Sequence, residues 1–251
     1  MRLLLLNPNT SSEVTALLAA AARAAVGPDT EIVARTAHRG VPYIASRAEA
    51  AIGGEVVLEM LAREPEPFAA LILAAFGDPG LGALRELSPV PVCGMAEAAM
   101  LTACMLGARF SIVSFAVALS PWYRECVDYH GLGHRLAAIR MLDTPFAAIG
   151  DVQREKAELL VELANRTVVE DGADVVILAG APLAGLAATV QDRIPVPVVD
   201  GAAAAALQAR TLARLALTKA TAGSFRRPGG KPSTGLDPAL ARLIGGAQSM
   251  P

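Results

Sequence analysis

Cysteine is scarce in this chain of 251 residues: there are three, Cys93, Cys104 and Cys126, with no Cys-x-x-Cys pair and only three histidines to join them. An odd, unclustered set argues against a disulfide framework and against a zinc site of the short-spacing kind, so no metal and no cofactor is expected. Charge of one sign is lacking too. With 22 Lys and Arg against 24 Asp and Glu, there is no basic footprint for nucleic acid or for an anionic membrane surface. Long apolar runs are missing although 53% of the residues are hydrophobic; the run 69–76 falls far short of the ~20 residues a spanning helix needs. The stretch 3–6 is cut off by Asn7-Pro8-Asn9-Thr10 before a secretory apolar region could form, which makes the cytoplasm the expected location. Aromatics are only 4% and about a fifth of the residues are alanine, a composition suited to tight helix-on-sheet packing rather than to a sandwich or barrel.

What is present is a regular alternation of short aliphatic runs and helical stretches. Strands are expected at 3–6, 32–34, 70–75, 90–92, 111–114, 175–179 and 196–199, mostly without polar alternation, as in parallel sheets covered on both faces. Helices are expected at 13–25, 48–62, 97–106, 152–170 and 201–215. The chain also repeats itself. Ile72-Leu73-Ala74 and Gly80-Leu81 match Ile177-Leu178-Ala179 and Gly185-Leu186, and Pro89-Val90-Pro91-Val92 returns as Pro195-Val196-Pro197-Val198. On the same alignment 3–7 corresponds to 110–114, so the repeat runs over roughly 1–105 and 106–210. The expected packed units are 1–96 with about 212–251, and 97–211. Together these describe an α/β fold of two pseudosymmetric Rossmann-like parallel-sheet domains, with the site in the cleft where their strand ends meet.

The loops after the strands are therefore the places to seek chemistry. Thr10 and Glu13 have capping-box spacing, and Asn7 to Ser12 offers free backbone N–H groups at a helix start. Asp78 before Pro79 reads as the cap of a helix beginning there, with a role as general acid or base as the competing reading. Ser114 is the counterpart of Asn7 and a candidate ligand contact or catalytic group, and Glu97 belongs to a first helical turn. Tyr43 sits in a loop that could close over a ligand. His130 and His134 flank Gly131-Leu132-Gly133 and read as loop residues; Arg47 and Arg85 read as helix-surface residues. Each cysteine reads as a small packing residue. The turn-rich, basic stretch 223–232 is expected to be exposed, with a short helix at 238–243 after it.

Asn7-Pro8-Asn9-Thr10-Ser11, Phe76-Gly77-Asp78-Pro79-Gly80-Leu81, Pro91-Val92-Cys93-Gly94-Met95-Ala96-Glu97-Ala98 and Leu183-Ala184-Gly185-Leu186 together resemble the aspartate/glutamate/hydantoin racemase superfamily, and within it the hydantoin and allantoin racemase branch. The resemblance implies a small-molecule substrate between two domains and racemisation without metal or cofactor. It leaves room for a homo-oligomer and implies neither a nucleic-acid nor a membrane partner. It also implies two cysteines, one thiolate removing a proton from the stereocentre as the other thiol delivers one to the opposite face. Those two positions are Ala75 and Gly180 here, and Pro182 stands where the family usually has glycine. The site residues implied are Asn7, Thr10, Tyr43, Ala75, Phe76, Gly77, Ser114, Gly180, Ala181 and Pro182, with Ser114 and Asp78 as the remaining candidates for catalysis. The chemistry is then that of an isomerase relative acting next to a carboxylate or cyclic-ureide carbonyl by another route. A decarboxylase or hydrolase on the same oxyanion site and a non-catalytic binding protein are the alternatives.

Overall fold

The computed structural model describes residues 1–145 and 148–246. Among them, eight strands form two four-stranded sheets. The first is ordered β2-β1-β3-β4, from β1 (Arg2–Asn7), β2 (Glu31–Thr36), β3 (Ala70–Leu73) and β4 (Val92–Gly94). The second repeats that order as β6-β5-β7-β8, from β5 (Phe110–Ser114), β6 (Leu136–Met141), β7 (Val175–Leu178) and β8 (Val198–Asp200). Every strand pair is parallel. The central strands β1, β3, β5 and β7 are almost wholly buried, which is why β1, β3 and β7 read as aliphatic runs, while β5, Phe-Ser-Ile-Val-Ser, is as buried but carries two serines. The edge strand β6 was not among the expected strands. Its sequence Leu-Ala-Ala-Ile-Arg-Met is only half-buried and lacks the β-branched run that marks its neighbours.

The two sheets repeat equivalent hydrogen bonds. Ala74 N–H donates to Leu6 at 2.9 Å and Ala179 N–H donates to Val113 at 2.9 Å. Ala37 donates to Asn7 at 3.0 Å, and Leu142 to Ser114 at 2.9 Å. Leu71 donates to Pro91 and Val176 to Pro197, at 2.9 and 3.0 Å. These equivalences pair Asn7 with Ser114 and make Ala75 the structural counterpart of Gly180.

Two helices tie the halves together by changing sides. Helix α1 (Ser12–Val26) follows β1, and α2 (Arg47–Arg63) follows β2. The short α3 (Leu81–Leu87) leads to β4 and to α4 (Met95–Leu106), which packs on β5, β7 and β8 of the other sheet. In the second half α5 (Ser120–Tyr129), α6 (Val152–Asp171) and α7 (Leu186–Val190) precede α8 (Gly201–Arg214), which packs on α1, α4, β3 and β4. The buried face of α8 is Gly201, Ala202, Ala204, Ala205, Ala206 and Ala209; side chains this small let helix axes approach closely. Gln208 of α8 donates to the Ala98 carbonyl and to Thr102 of α4 at 3.0 and 2.9 Å, while Arg210 reaches the Val26 carbonyl at the end of α1, at 2.7 Å. One apolar core consequently runs through both halves. No described helix is long and apolar enough to cross a membrane.

The helix starts differ from the expectation in two places. Ser11, not Thr10, caps α1, accepting from Val14 N–H at 3.2 Å, and the Thr10 N–H donates instead to the Val41 carbonyl. The helix after Pro79 begins only at Leu81, with Gly80 in the left-handed region as its cap. Asp78 turns away, at φ 48°, and caps α4. The basic stretch after α8 is exposed as expected, and the helix beyond it, α9 (Pro238–Ile244), packs on α2 of the first half.

Leu240 and Leu243 of α9 are buried in a second apolar cluster with Val57, Met60 and Leu61, and Asp237 both caps α9 and pairs with Arg63. Replacing Leu240, 2% exposed, with Ala is expected to destabilise the protein by about 2–4 kcal/mol in chemical denaturation. Arg63, followed by the N–H groups of Leu240 and Ala239, holds the Asp237 carboxyl down at about 2. A group held below its unfolded value stabilises fully above that value and ceases to as the pH falls through the folded one. Between pH 4 and pH 2, roughly, the thermal midpoint of the parent chain should therefore fall by more than that of Asp237→Asn.

Candidate active site

In a parallel sheet ordered 2-1-3-4 the chain leaves β1 to one side and returns to the other, so the crevice for a ligand lies at the carboxyl ends of β1 and β3. The second sheet has the same switch point at β5 and β7. Most of the residues expected at the site stand at these four ends: Asn7 and Thr10 after β1, Ala75, Phe76 and Gly77 after β3, Ser114 after β5, and Gly180, Ala181 and Pro182 after β7.

A continuous set of contacts joins them across the halves. The Tyr43 ring, from the loop after β2, packs on Phe115 with centroids 5.7 Å apart. Phe115 in turn lies where a side chain at Gly180 would begin: a Cβ there would sit 2.8 Å from its Cε1 and 3.6 Å from the Ser114 hydroxyl. Ser114 is fully buried and donates to the Ala179 carbonyl at 2.7 Å, tying the end of β5 to that of β7. Its hydroxyl also pairs with Tyr123, and Tyr123 stacks at a tilt on Phe76, with centroids at 4.8 Å. Trp122 completes the path, its six-membered ring against Gly77, where a Cβ would meet it at 2.4 Å. Phe115, Trp122 and Tyr123 were absent from the expected set. The signal available was scarcity, because half of the chain's few aromatic residues gather here.

Not every expected residue offers a free group. The Asn7 amide is buried and spent on its own loop: its Nδ2 donates to Asn9 Oδ1 and Thr15 Oγ1, each at 2.9 Å, and its Oδ1 accepts from Asn9 N–H. It shapes the loop. The carbonyls of Pro182 and Ala184 accept from Gln153, which anchors the turn after β7 (Ala181–Leu183). Asp78 is buried with both oxygens on the start of α4, accepting from Ala96 N–H at 2.9 Å and Glu97 N–H at 2.8 Å. Burial pushes its carboxyl up, against the opposing effect of His130 and those two donors. The approach depends on Gly94, since a Cβ there would lie 2.4 Å from an Asp78 oxygen.

Proton-transfer groups are correspondingly few at the switch points. Ala75 and Gly180 are both buried and carry none. Burial raises the Tyr43 and Tyr123 phenols, so both are hydrogen-bond donors at neutral pH. Cys93 is at β4, pushed up to about 12 by burial; Cys104 is on α4 and Cys126 on α5. Arg85 is not a free surface cation, because it pairs with Glu97 and with the Val92 carbonyl. Arg47 is exposed and bridges the halves to Glu125 at 2.9 Å. His130, expected in a loop, caps the end of α5 and is packed between Asp78 and Glu97.

Residues 3–209 match the family model described as Asp/Glu/Hydantoin racemase. The chain is 35% identical over 230 residues to the hydantoin racemase of Paenarthrobacter aurescens, covering 91% of this chain and 98% of that one. Among solved structures, allantoin racemase from Klebsiella pneumoniae superposes with a TM-score of 0.90 at 36% identity, covering 96% of this chain and 98% of that one. Allantoin racemase from Pseudomonas fluorescens gives a TM-score of 0.88 at 32% identity, covering 94% and 100%.

Gly180 combines a φ of +114° with the close Phe115 ring, two obstacles to any side chain. Gly180→Ala is expected to cost about 1–3 kcal/mol in urea denaturation. Adding Phe115→Leu to that variant should recover part of the loss, giving a coupling energy of opposite sign between the two positions.

Proposed function

This chain belongs to the Asp/Glu/hydantoin racemase family, and we propose that it acts on a small cyclic ureide, a 5-substituted hydantoin or allantoin, by exchanging the proton on the carbon next to a ring carbonyl without the two-thiol mechanism. The observation that carries this reading is the equivalence of Ala75 and Gly180. They occupy matching ends of β3 and β7, at the two switch points, and each lacks the acid or base that a paired proton transfer needs. The likeness over the whole chain to racemases of hydantoin and allantoin supports the substrate class.

Removing the C–H proton of a hydantoin places charge on the adjacent carbonyl oxygen, so a site that stabilises that oxyanion accelerates exchange even where the base is only water or hydroxide. Preorganised donors aimed at the developing charge supply much of the acceleration in this type of catalysis. The proposed donors are the N–H groups of Phe76, Gly77 and Ala181 and the phenol of Tyr43. The aromatic side chains Phe76, Phe115, Trp122 and Tyr123 wall off the flat ring and exclude bulk water, which strengthens each hydrogen bond inside. No cofactor enters this route.

One observation favours a second reading, that of a protein that binds ureides without turning them over. The Phe115 ring fills the space where the Gly180 side chain would start, so one of the two faces of the ligand has been closed to a proton donor rather than merely emptied.

Incubation in D2O with 5-substituted hydantoins, allantoin, aspartate and glutamate, followed by NMR, separates the two. Exchange at C5 of the ureides well above the buffer rate, with none at Cα of the amino acids, is the expected result. Saturable binding with no exchange would establish the binding protein instead. General acid–base groups contribute about 100-fold or more, so Ala75→Cys should raise the exchange rate at least tenfold, roughly. Adding Gly180→Cys to it should give no further gain unless Phe115 is also shortened to Leu.

A further inference from the structure

Behind the loop that carries Gly77, three potential metal ligands converge at a place that the proposed reaction does not use. Asp78, Cys126 and His130 each offer one donor atom, and these atoms lie within 4.8 Å of one another. Cys126 and His130 are four residues apart, at the last turn and the C-cap of α5, and so share one helix face. Asp78 comes from the other half of the molecule. Ligand bonds to zinc are about 2.0–2.3 Å, so small side-chain rotations bring such a trio to tetrahedral distances.

His130 is the residue that points to a ligand. Its side chain is only 9% exposed, its Nε2 is buried with no hydrogen-bond partner, and the Asp78 Oδ2 that faces it is 3.7 Å away, beyond hydrogen-bond reach. Its other nitrogen, Nδ1, faces Glu97 Oε1 at 3.5 Å. Glu97 is fixed in turn by Arg85 at 3.0 Å. Glu97 at Nδ1 and Asp78 at Nε2 flank the imidazole, the arrangement in which an outer carboxylate orients a metal-bound ring.

Beside a bound divalent ion, which would be the largest local charge there, a coordinating thiol loses its proton. Each Asp78 oxygen accepts a single backbone N–H and keeps a lone pair for a metal. Beside the trio is a cavity of about 390 Å³, lined also by Gly77, Leu81, Trp122 and Tyr129.

We propose that Asp78, Cys126 and His130 form a zinc site, with water in an open fourth position facing this cavity. Zinc takes the carboxylate, the neutral imidazole and the thiolate, and the thiol proton leaves to solvent, one for each ion bound. Since the ligands span the β3–α3 loop of one half and α5 of the other, the ion pins Trp122 over Gly77.

The full chain, stripped with a chelator, should take up one zinc per molecule in competition with a chromophoric chelator. Cobalt, as the optical probe, should give a thiolate-to-metal charge-transfer band together with ligand-field bands of tetrahedral intensity. Cys126→Ser should abolish the charge-transfer band. His130→Gln should weaken zinc binding at least about tenfold, and Glu97→Gln, acting only through the imidazole, by about tenfold; circular dichroism checks that each variant is folded. The proposal is overturned if the parent chain takes up no stoichiometric zinc, if bound cobalt shows no thiolate band, or if Cys126→Ser and His130→Gln both bind as the parent does.

Discussion

The reciprocal packing of α4 and α8 is the constraint on which the rest of the molecule depends. Each helix follows the last strand of one sheet, and each lies partly on the other sheet. The alanine face of α8 allows that approach, and the Gln208 and Arg210 hydrogen bonds fix its position along α4 and α1. The switch points of the two sheets are thereby tied together through a shared core. Aromatic contacts then span the seam, Tyr43 on Phe115 on one side and Phe76 and Trp122 on Tyr123 on the other.

On the proposed reading, the site keeps one part of the chemistry and lacks another. The strand ends and the hydrogen bonds that tie them are matched in both halves. Ala75 and Gly180 carry neither an acid nor a base; at Gly180 the backbone lies at φ +114°, a Cβ would meet the Phe115 ring at 2.8 Å, and Pro182 stands in the following turn. Asn7 and Ser114, equivalent by the repeat, both spend their polar atoms on internal hydrogen bonds. They set the shape of the loops from which backbone donors point. Stabilisation of charge on a carbonyl oxygen is what such loops can still provide.

Much of this was legible in the sequence because it rests on period and repetition. Buried parallel strands are short aliphatic runs, and the double Pro-Val match located the duplication and with it the pairing of Ala75 with Gly180. What escaped depends on contacts between distant segments. Strand β6 has an edge environment and no β-branched run to announce it. Asp78 carried the residue type of a cap, but its target was the start of α4, across the space that Gly94 leaves open, rather than the helix next in sequence. Phe115 and Trp122 act by lying on glycines far away in the chain, a relation without local signature. The three cysteines looked unclustered since the partners of Cys126 are one helical turn onward and 48 residues back, and only the fold brings Asp78 to them.

The central claim is that the ends of β3 and β7 face the two sides of one ligand carbon. A crystal structure of the chain soaked with a 5-substituted hydantoin tests it most directly. The account predicts the ureide ring between Ala75 and Gly180, with C5 on the line joining their Cα atoms and a ring carbonyl oxygen at the N–H groups of Phe76 and Gly77. A ring bound elsewhere, or one whose C5 points away from both positions, would contradict it.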